Sequence, residues 1–187
     1  MSIEQDYAKA LNQFRREKDA YLRSEPDSPI PVEERAGFAG LRYYPPLFAL
    51  RLVARVEPVP EGETVHMATS DGAARPFVKA AILHFTIDGQ NYQLTGYQSA
   101  EDAGDEGAAL FIPFRDALSG KETYGAGRYL DVQPERAEDG TLIATLDFNL
   151  AYNPYCAYND HYSCPITPAE NTLPIAIYAG ERNYHAD

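Results

Sequence analysis

FVKAAILHFTIDGQNYQLTGY, residues Phe77 to Tyr97, is the stretch that decides the fold class. Its first half, Phe77–Ile87, is rich in Val, Ile, Leu and Phe, the residues that suit a pleated surface, and its second, Tyr92–Tyr97, resumes the pattern after Asp88-Gly89. Asp and Gly tolerate the positive φ of a tight turn, so the two runs read as neighbouring antiparallel strands. Ser70-Asp71-Gly72 and Glu138-Asp139-Gly140 repeat that turn chemistry on either side. Further strands are expected at Phe48–Glu57, Glu63–Thr69, Ala109–Phe114, Tyr129–Gln133, Leu142–Asn149 and Leu173–Ala179. About eight strands joined by short turns must hide their sheet edges by curling, which predicts an antiparallel barrel or rolled β-sandwich. No β-α-β alternation occurs, which argues against a doubly wound nucleotide-binding sheet.

One helix precedes the strands. Ile3, Tyr7, Leu11, Phe14, Lys18, Tyr21 and Leu22 recur at steps of three or four, and all but Lys18 are apolar, so they mark one face of an amphipathic helix. Ser2 and Gln5 have the spacing of a capping box. Arg15 to Asp19 bring charge to the helix, which is expected to lie on the outside of the domain. Pro26, Pro29 and Pro31 stop it. The organisation predicted is one domain over residues 1–187: a helix at 1–24, a Pro-rich connection at 25–46, and a β-rich core at 47–187 with a long Tyr/Asn/Cys loop at 150–168.

The 187 residues are 44% hydrophobic and 24% charged, enough apolar surface for one core without metal or disulfides. A net charge of −12, from 28 acidic and 16 basic residues, speaks against nucleic acid, whose binding draws on clustered Lys and Arg. Nowhere do about 18 apolar residues run together, and the first 22 lack a signal-peptide core, so a cytoplasmic address and no membrane partner are expected. In that setting Cys156 and Cys164 are expected to be reduced.

Two stretches resist the strand-and-turn reading. Tyr97 to Gly107 is an acidic loop, and Asp147 to Pro168 is a long irregular run holding both cysteines and His161. Loops of that length inside a compact domain are usually functional or disordered. Tyr152, Tyr155, Tyr158 and Tyr162 argue for packing instead. Cys156, His161 and Cys164 are spaced C-x4-H-x2-C, leaving open packed thiols, a disulfide closing a short loop, or part of a metal site that needs a fourth ligand. A nucleophilic Cys156 with His161 as base is a further alternative. Asp147 and Asn149 share a face if the strand continues through them, and buried they require partners, either an Asx network or a ligand. Arg128 is a planar fork suited to an anion, or to an internal ion pair with Asp147. Gly125-x-Gly127 lacks the following helix of a dinucleotide fingerprint and marks a bulge or close crossing. Glu181 follows the last run, where a carboxylate closes the barrel mouth or caps a turn.

From Phe114 to Cys164 the words Phe114-Arg115-Asp116, Ser119-Gly120-Lys121-Glu122-Thr123-Tyr124-Gly125, Gly127-Arg128-Tyr129-Leu130-Asp131, Asp147-Phe148-Asn149, Ala151-Tyr152-Asn153-Pro154 and Cys156-Ala157-Tyr158 occur in order. In them, and in Phe38-Ala39-Gly40-Leu41, Ser163-Cys164-Pro165, Asn171 and Ala179-Gly180-Glu181, the chain resembles the domain of unknown function 1684 family over nearly its whole length. That resemblance implies a domain extent and a set of residues to inspect, with no activity or cofactor attached. The leading expectation is a small polar or anionic ligand held by Arg128, Tyr129, Asp147, Asn149, Tyr152, Asn153 and Cys156 at a barrel mouth. The alternatives are a hydrolase or transferase using Cys156 or an Asp147/Glu181 carboxylate, metal binding through Cys156, His161 and Cys164, and a protein-interaction module or homodimer built on exposed loop tyrosines.

Overall fold

Asp88 and Gly89 both take positive φ, 50° and 75°, and fold β3 (Ala74–Ile87) and β4 (Gln90–Ser99) into a long antiparallel hairpin. Positive φ at both positions matches the twist of the flanking strands. The structure, a computed structural model, describes residues 2–60, 62–104 and 108–185. The turns at Gly72 and Gly140, also at positive φ, close two more hairpins. The first joins β2 (Thr64–Ala68) to β3, and the second joins β7 (Pro134–Arg136) to β8 (Leu142–Asp147). β1 (Arg51–Pro58) sits between β3 and β8, while β5 (Leu110–Phe114) links β4 to β6 (Arg128–Val132). Every ladder is antiparallel, and the order is β6-β5-β4-β3-β1-β8-β7 with β2 beside β3.

This is a mainly antiparallel sheet of eight strands curled into a half-barrel, preceded by α1 (Ile3–Ser24). β6 and β7, the two ends of that order, are consecutive in the chain with only Gln133 between them. One bent segment therefore supplies both margins of the rolled sheet, which limits the unpaired edge.

Period-two alternation sends Val78, Ala81, Leu83 and Phe85 of β3 into the hollow, with a register shift between Lys79 and Ala81 keeping the phase. At one end Phe148 packs edge-on against Phe85 and Phe114, with centroids 5.8 and 5.3 Å apart. Away from this aromatic plug the β3 side chains shrink through Leu83 to Ala81.

α1 begins with the expected capping box: Ser2 N–H donates to Gln5 Oε1 at 3.0 Å and Gln5 N–H to Ser2 Oγ at 3.3 Å. It stops at Ser24, just before the prolines, and a short α2 (Val32–Arg35) interrupts the connection that follows. Its inner face is Tyr7, Leu11, Arg15, Lys18 and Leu22, while Phe14 and Ile3 are exposed. The apolar stripe was therefore misread by part of a turn, because Arg15 and Lys18 enter the interface through charge-satisfying contacts.

Most strand boundaries shift by a residue or a few, β3 starting already at Ala74 and β4 running from Gln90 to Ser99, and three segments differ in kind. Phe48–Leu50 and Phe148–Leu150 are 3₁₀ turns, so β1 starts later and β8 ends at Asp147. Leu173–Ala179 forms no strand. Pro174 lacks an N–H, and the segment's hydrogen bonds are scattered instead: Leu173 N–H to Arg115 O, Ala117 N–H to Ile175 O, and Ile177 N–H to the Asp116 carboxylate. β7, not foreseen, is the eighth strand. The acidic loop expected from Tyr97 begins only after Ser99, and its residues 105–107 lie outside those described.

Phe148 is fully buried between two other rings, so Phe148→Ala should destabilise the fold by about 3–5 kcal/mol. A fall in the urea midpoint at unchanged slope would show it.

Candidate functional site

Arg128 opens β6 immediately after Gly127, where φ is +106° and an added Cβ would lie 2.7 Å from the Phe114 carbonyl and closer still to Thr167. Glycine is needed there so that the chain can press against β5 and turn the arginine inward. The side chain is 1% exposed. Its Nη1 donates to the Ala179 and Glu181 carbonyls, and its Nη2 to the Ile177 carbonyl at 3.1 Å and to Asp116 Oδ2 at 3.3 Å. Asp116 also accepts the Ile177 N–H at 2.8 Å. Burial pushes the guanidinium's pKa down and Asp116 opposes that shift. The internal ion pair exists, but with Asp116 rather than Asp147.

Asp147 and Asn149 do meet, by a different route from strand alternation. Asp147 caps the 3₁₀ turn, its Oδ1 accepting from Asn149 N–H and Nδ2, each at 3.0 Å. Asn149 then clasps Leu47 at both backbone groups, 2.8 and 2.9 Å. The Tyr7 hydroxyl of α1 donates to Asp147 at 2.8 Å, and Arg15 donates to the Tyr44 and Asn149 carbonyls. Tyr129 and Tyr152 exchange backbone hydrogen bonds, the Tyr129 hydroxyl reaches the Pro165 carbonyl, and the Tyr152 hydroxyl donates to Asp131 at 2.7 Å.

Glu181 is the second buried charge. At 2% exposure it receives Lys18 Nζ of α1 at 2.5 Å, the Asn153 N–H at 2.8 Å and the Tyr158 hydroxyl at 2.6 Å. Asn153 Nδ2 donates to the Arg182 carbonyl, while its Oδ1 is buried with no partner. A carboxylate so saturated is suited to holding helix, loop and tail together rather than to taking a proton from a substrate. Of the loop tyrosines, Tyr158 is buried, Tyr152 and Tyr162 are half-buried and Tyr155 is exposed.

Cys156 and Cys164 are both free. The Cys156 N–H donates to Cys164 Sγ at 3.2 Å, and the Tyr124 hydroxyl lies 3.6 Å from Cys156 Sγ. The hydrogen bond from the Cys164 thiol lowers the Cys156 pKa to about 6 against the opposing pull of burial, and the same contact raises that of Cys164. Of the pair's two protons one is therefore lost readily and the one that remains, between the two sulfurs, is held tightly. His161 is exposed, and among the described residues no three His, Cys, Asp or Glu side chains are gathered to hold a metal.

One cavity lies beside the thiol pair and another at the far end of the half-barrel. One, about 710 Å³, is bordered by Cys156, Tyr124, Glu33, Glu34, Asp160 and His161. Cys156 alone of the seven expected ligand residues lines it. The other, about 600 Å³, opens where the half-barrel core thins, between Val56, Val78, Ala81, Gln98, Leu110 and Leu142.

Residues 36–182 match the family described as "Protein of unknown function (DUF1684)". The chain belongs to that family. The solution NMR structure of the uncharacterized protein from gene locus rrnAC0354 of Haloarcula marismortui is 40% identical, covers 95% of both chains, and superposes with a TM-score of 0.71. Among curated proteins none matches. In this member of the DUF1684 family, inspection of the sequence passed over Asp116, Tyr124, Lys18 and the end-cavity residues. Asp116 stands in a family word without an assigned partner, and the sign of the cavity is Ala80-Ala81, small residues inside an otherwise bulky strand.

Removing one member of a buried ion pair leaves the other uncompensated. Asp116→Asn should therefore cost about 3–5 kcal/mol and release the segment from Ile177 to Glu181. Faster amide exchange at Ile177 would report that release, and native-like stability would contradict it.

Proposed function

We propose that this DUF1684 protein binds an uncharged, largely apolar small molecule in the end cavity of its half-barrel. The observation that carries the reading is the lining. Val56, Val78, Ala80, Ala81, Leu110, Pro134 and Leu142 present carbon, Thr64 and Gln98 are its polar side chains, and no ionisable residue lines it among those described. A volume of about 600 Å³ falls in the range of small-molecule sites, roughly 300–1,000 Å³. An ionised group inside would lose hydration without gaining a counter-charge.

This reading keeps the small-molecule class expected from the sequence and changes its polarity and place. Arg128 and Asn149 direct their polar groups to the protein's own backbone and carboxylates, and Asp147 accepts from Tyr7 and from Asn149; Tyr129 and Tyr152 donate their hydroxyls to the Pro165 carbonyl and Asp131, and Asn153 holds the tail. Near Cys156, three carboxylates, Glu33, Glu34 and Asp160, against the one guanidinium of Arg35 make an anionic guest unfavourable. A cytoplasmic setting belongs to the proposal, supported by the two unpaired thiols.

N-phenylnaphthylamine, a neutral fluorophore, should brighten on titration into the folded protein. Ala81→Phe, which fills the cavity, should weaken that binding by about tenfold or more, as should Ala80→Phe from the neighbouring wall. Equal binding by the wild type and by folded variants would place the probe elsewhere and refute the assignment.

A further inference from the structure

The cysteine pair remains unexplained by the end cavity, and its surroundings differ from those of a packed structural thiol. Three features distinguish it. The two residues are in direct contact, the Cys156 N–H donating to Cys164 Sγ at 3.2 Å. Cys156 borders the cavity of about 710 Å³, whereas Cys164 is not among its lining residues. Tyr124 borders the same cavity and brings its hydroxyl to 3.6 Å from Cys156 Sγ. One thiol thus faces an opening, the other waits behind it, and a hydroxyl stands beside the first.

We propose that Cys156 and Cys164 form an oxidant-reactive dithiol, in which Cys156 is attacked from the cavity by a small neutral hydroperoxide and Cys164 resolves the product to a disulfide. In the first step the Cys156 thiolate sulfur bonds to one peroxide oxygen as the O–O bond breaks. Hydroxide departs, takes a proton and becomes water, leaving Cys156 as sulfenic acid. In the second, the Cys164 sulfur bonds to the Cys156 sulfur as the S–O bond breaks. The departing hydroxide takes the Cys164 proton, so two thiols and one hydroperoxide give one disulfide, one water and, from hydrogen peroxide, a second water. The two cysteines are oxidised, losing two hydrogens in all, and the peroxide is reduced as its oxygens take them up.

The rest of the neighbourhood fits this chemistry. A thiol with a lowered pKa supplies the thiolate that oxidation needs, and the Cys156–Cys164 contact lowers it. Cys164 is tethered by its N–H to Ser70 Oγ at 3.1 Å and by its carbonyl to the Ser70 N–H at 2.9 Å, which holds it against its partner. Glu33, Glu34 and Asp160 around the opening outnumber Arg35, whose guanidinium is taken up by the Glu25, Ser28 and Ile30 carbonyls, so an uncharged hydroperoxide enters more readily than anionic glutathione disulfide. The proposal does not depend on the end cavity, and neither result bears on the other.

The full chain, reduced and then freed of reductant, would be treated with one equivalent of hydrogen peroxide and followed by intact mass and peptide mapping, with free glutathione as the reference thiol. The wild type should lose two hydrogen masses, yield a peptide joining residues 156 and 164, and recover with dithiothreitol, at a rate about tenfold or more above glutathione. Cys164→Ser should stop at one added oxygen on Cys156, trapped by dimedone. Cys156→Ser should leave Cys164 a thiol. Oxidation of the wild type no faster than glutathione, a disulfide between two chains instead of within one, or dimedone capture on Cys164 in Cys156→Ser would each overturn the proposal. The wild-type arm decides the matter even where a variant fails to fold.

Discussion

Carrying a guanidinium into a site with 1% exposure costs several kcal/mol, and Arg128 recovers that cost from four acceptors: the carbonyls of Ile177, Ala179 and Glu181 and the carboxylate of Asp116. Asp116 also accepts a hydrogen bond from the same segment, donated by the Ile177 N–H. The segment cannot join the sheet because Pro174 interrupts its donors, so a charged side chain substitutes for a ladder. From this anchor Glu181 is positioned to receive Lys18, Asn153 and Tyr158, which fastens α1 and the tyrosine loop to the same end of the half-barrel.

The molecule is consequently two-ended. Phe85, Phe114 and Phe148 fill the end bound by these polar networks, with Arg128 set over the Phe114 ring at 5.3 Å. The opposite end, where Ala81 follows Leu83 along β3, keeps a space of about 600 Å³ with no ionisable wall among the described residues. The thiol pair lies apart from both, against the cavity beside α2.

Local signals carried most of the fold. Asp88-Gly89, Gly72 and Gly140 announced their hairpins because positive φ is a property of those residues themselves. The capping box and the prolines after Ser24 bounded α1 in the same way. What stayed hidden was whatever depended on distant partners. Leu173–Ala179 has a strand's composition, yet its donors go to Asp116 and Arg115, residues more than fifty positions away. Arg15 looked like surface charge and is buried because the Tyr44 and Asn149 carbonyls await it. Arg128, Asp147 and Glu181 were visible as unusual residues, but the sequence could not separate a polar group that meets a ligand from one that meets its own backbone. The end cavity has no motif at all, because it arises from an alanine on β3 together with neighbours on β1, β4, β5 and β8.

The central claim, that the hollow end and not the polar mouth receives a guest, is tested most directly by titrating decanol into the ¹⁵N-labelled protein and following its amide resonances. Shifts confined to Val56, Val78, Ala81, Gln98, Leu110 and Leu142, with the segment from Asp147 to Cys164 unmoved, are the predicted result. Shifts centred on Arg128, Asn149 and Asn153, with the end cavity silent, would contradict it.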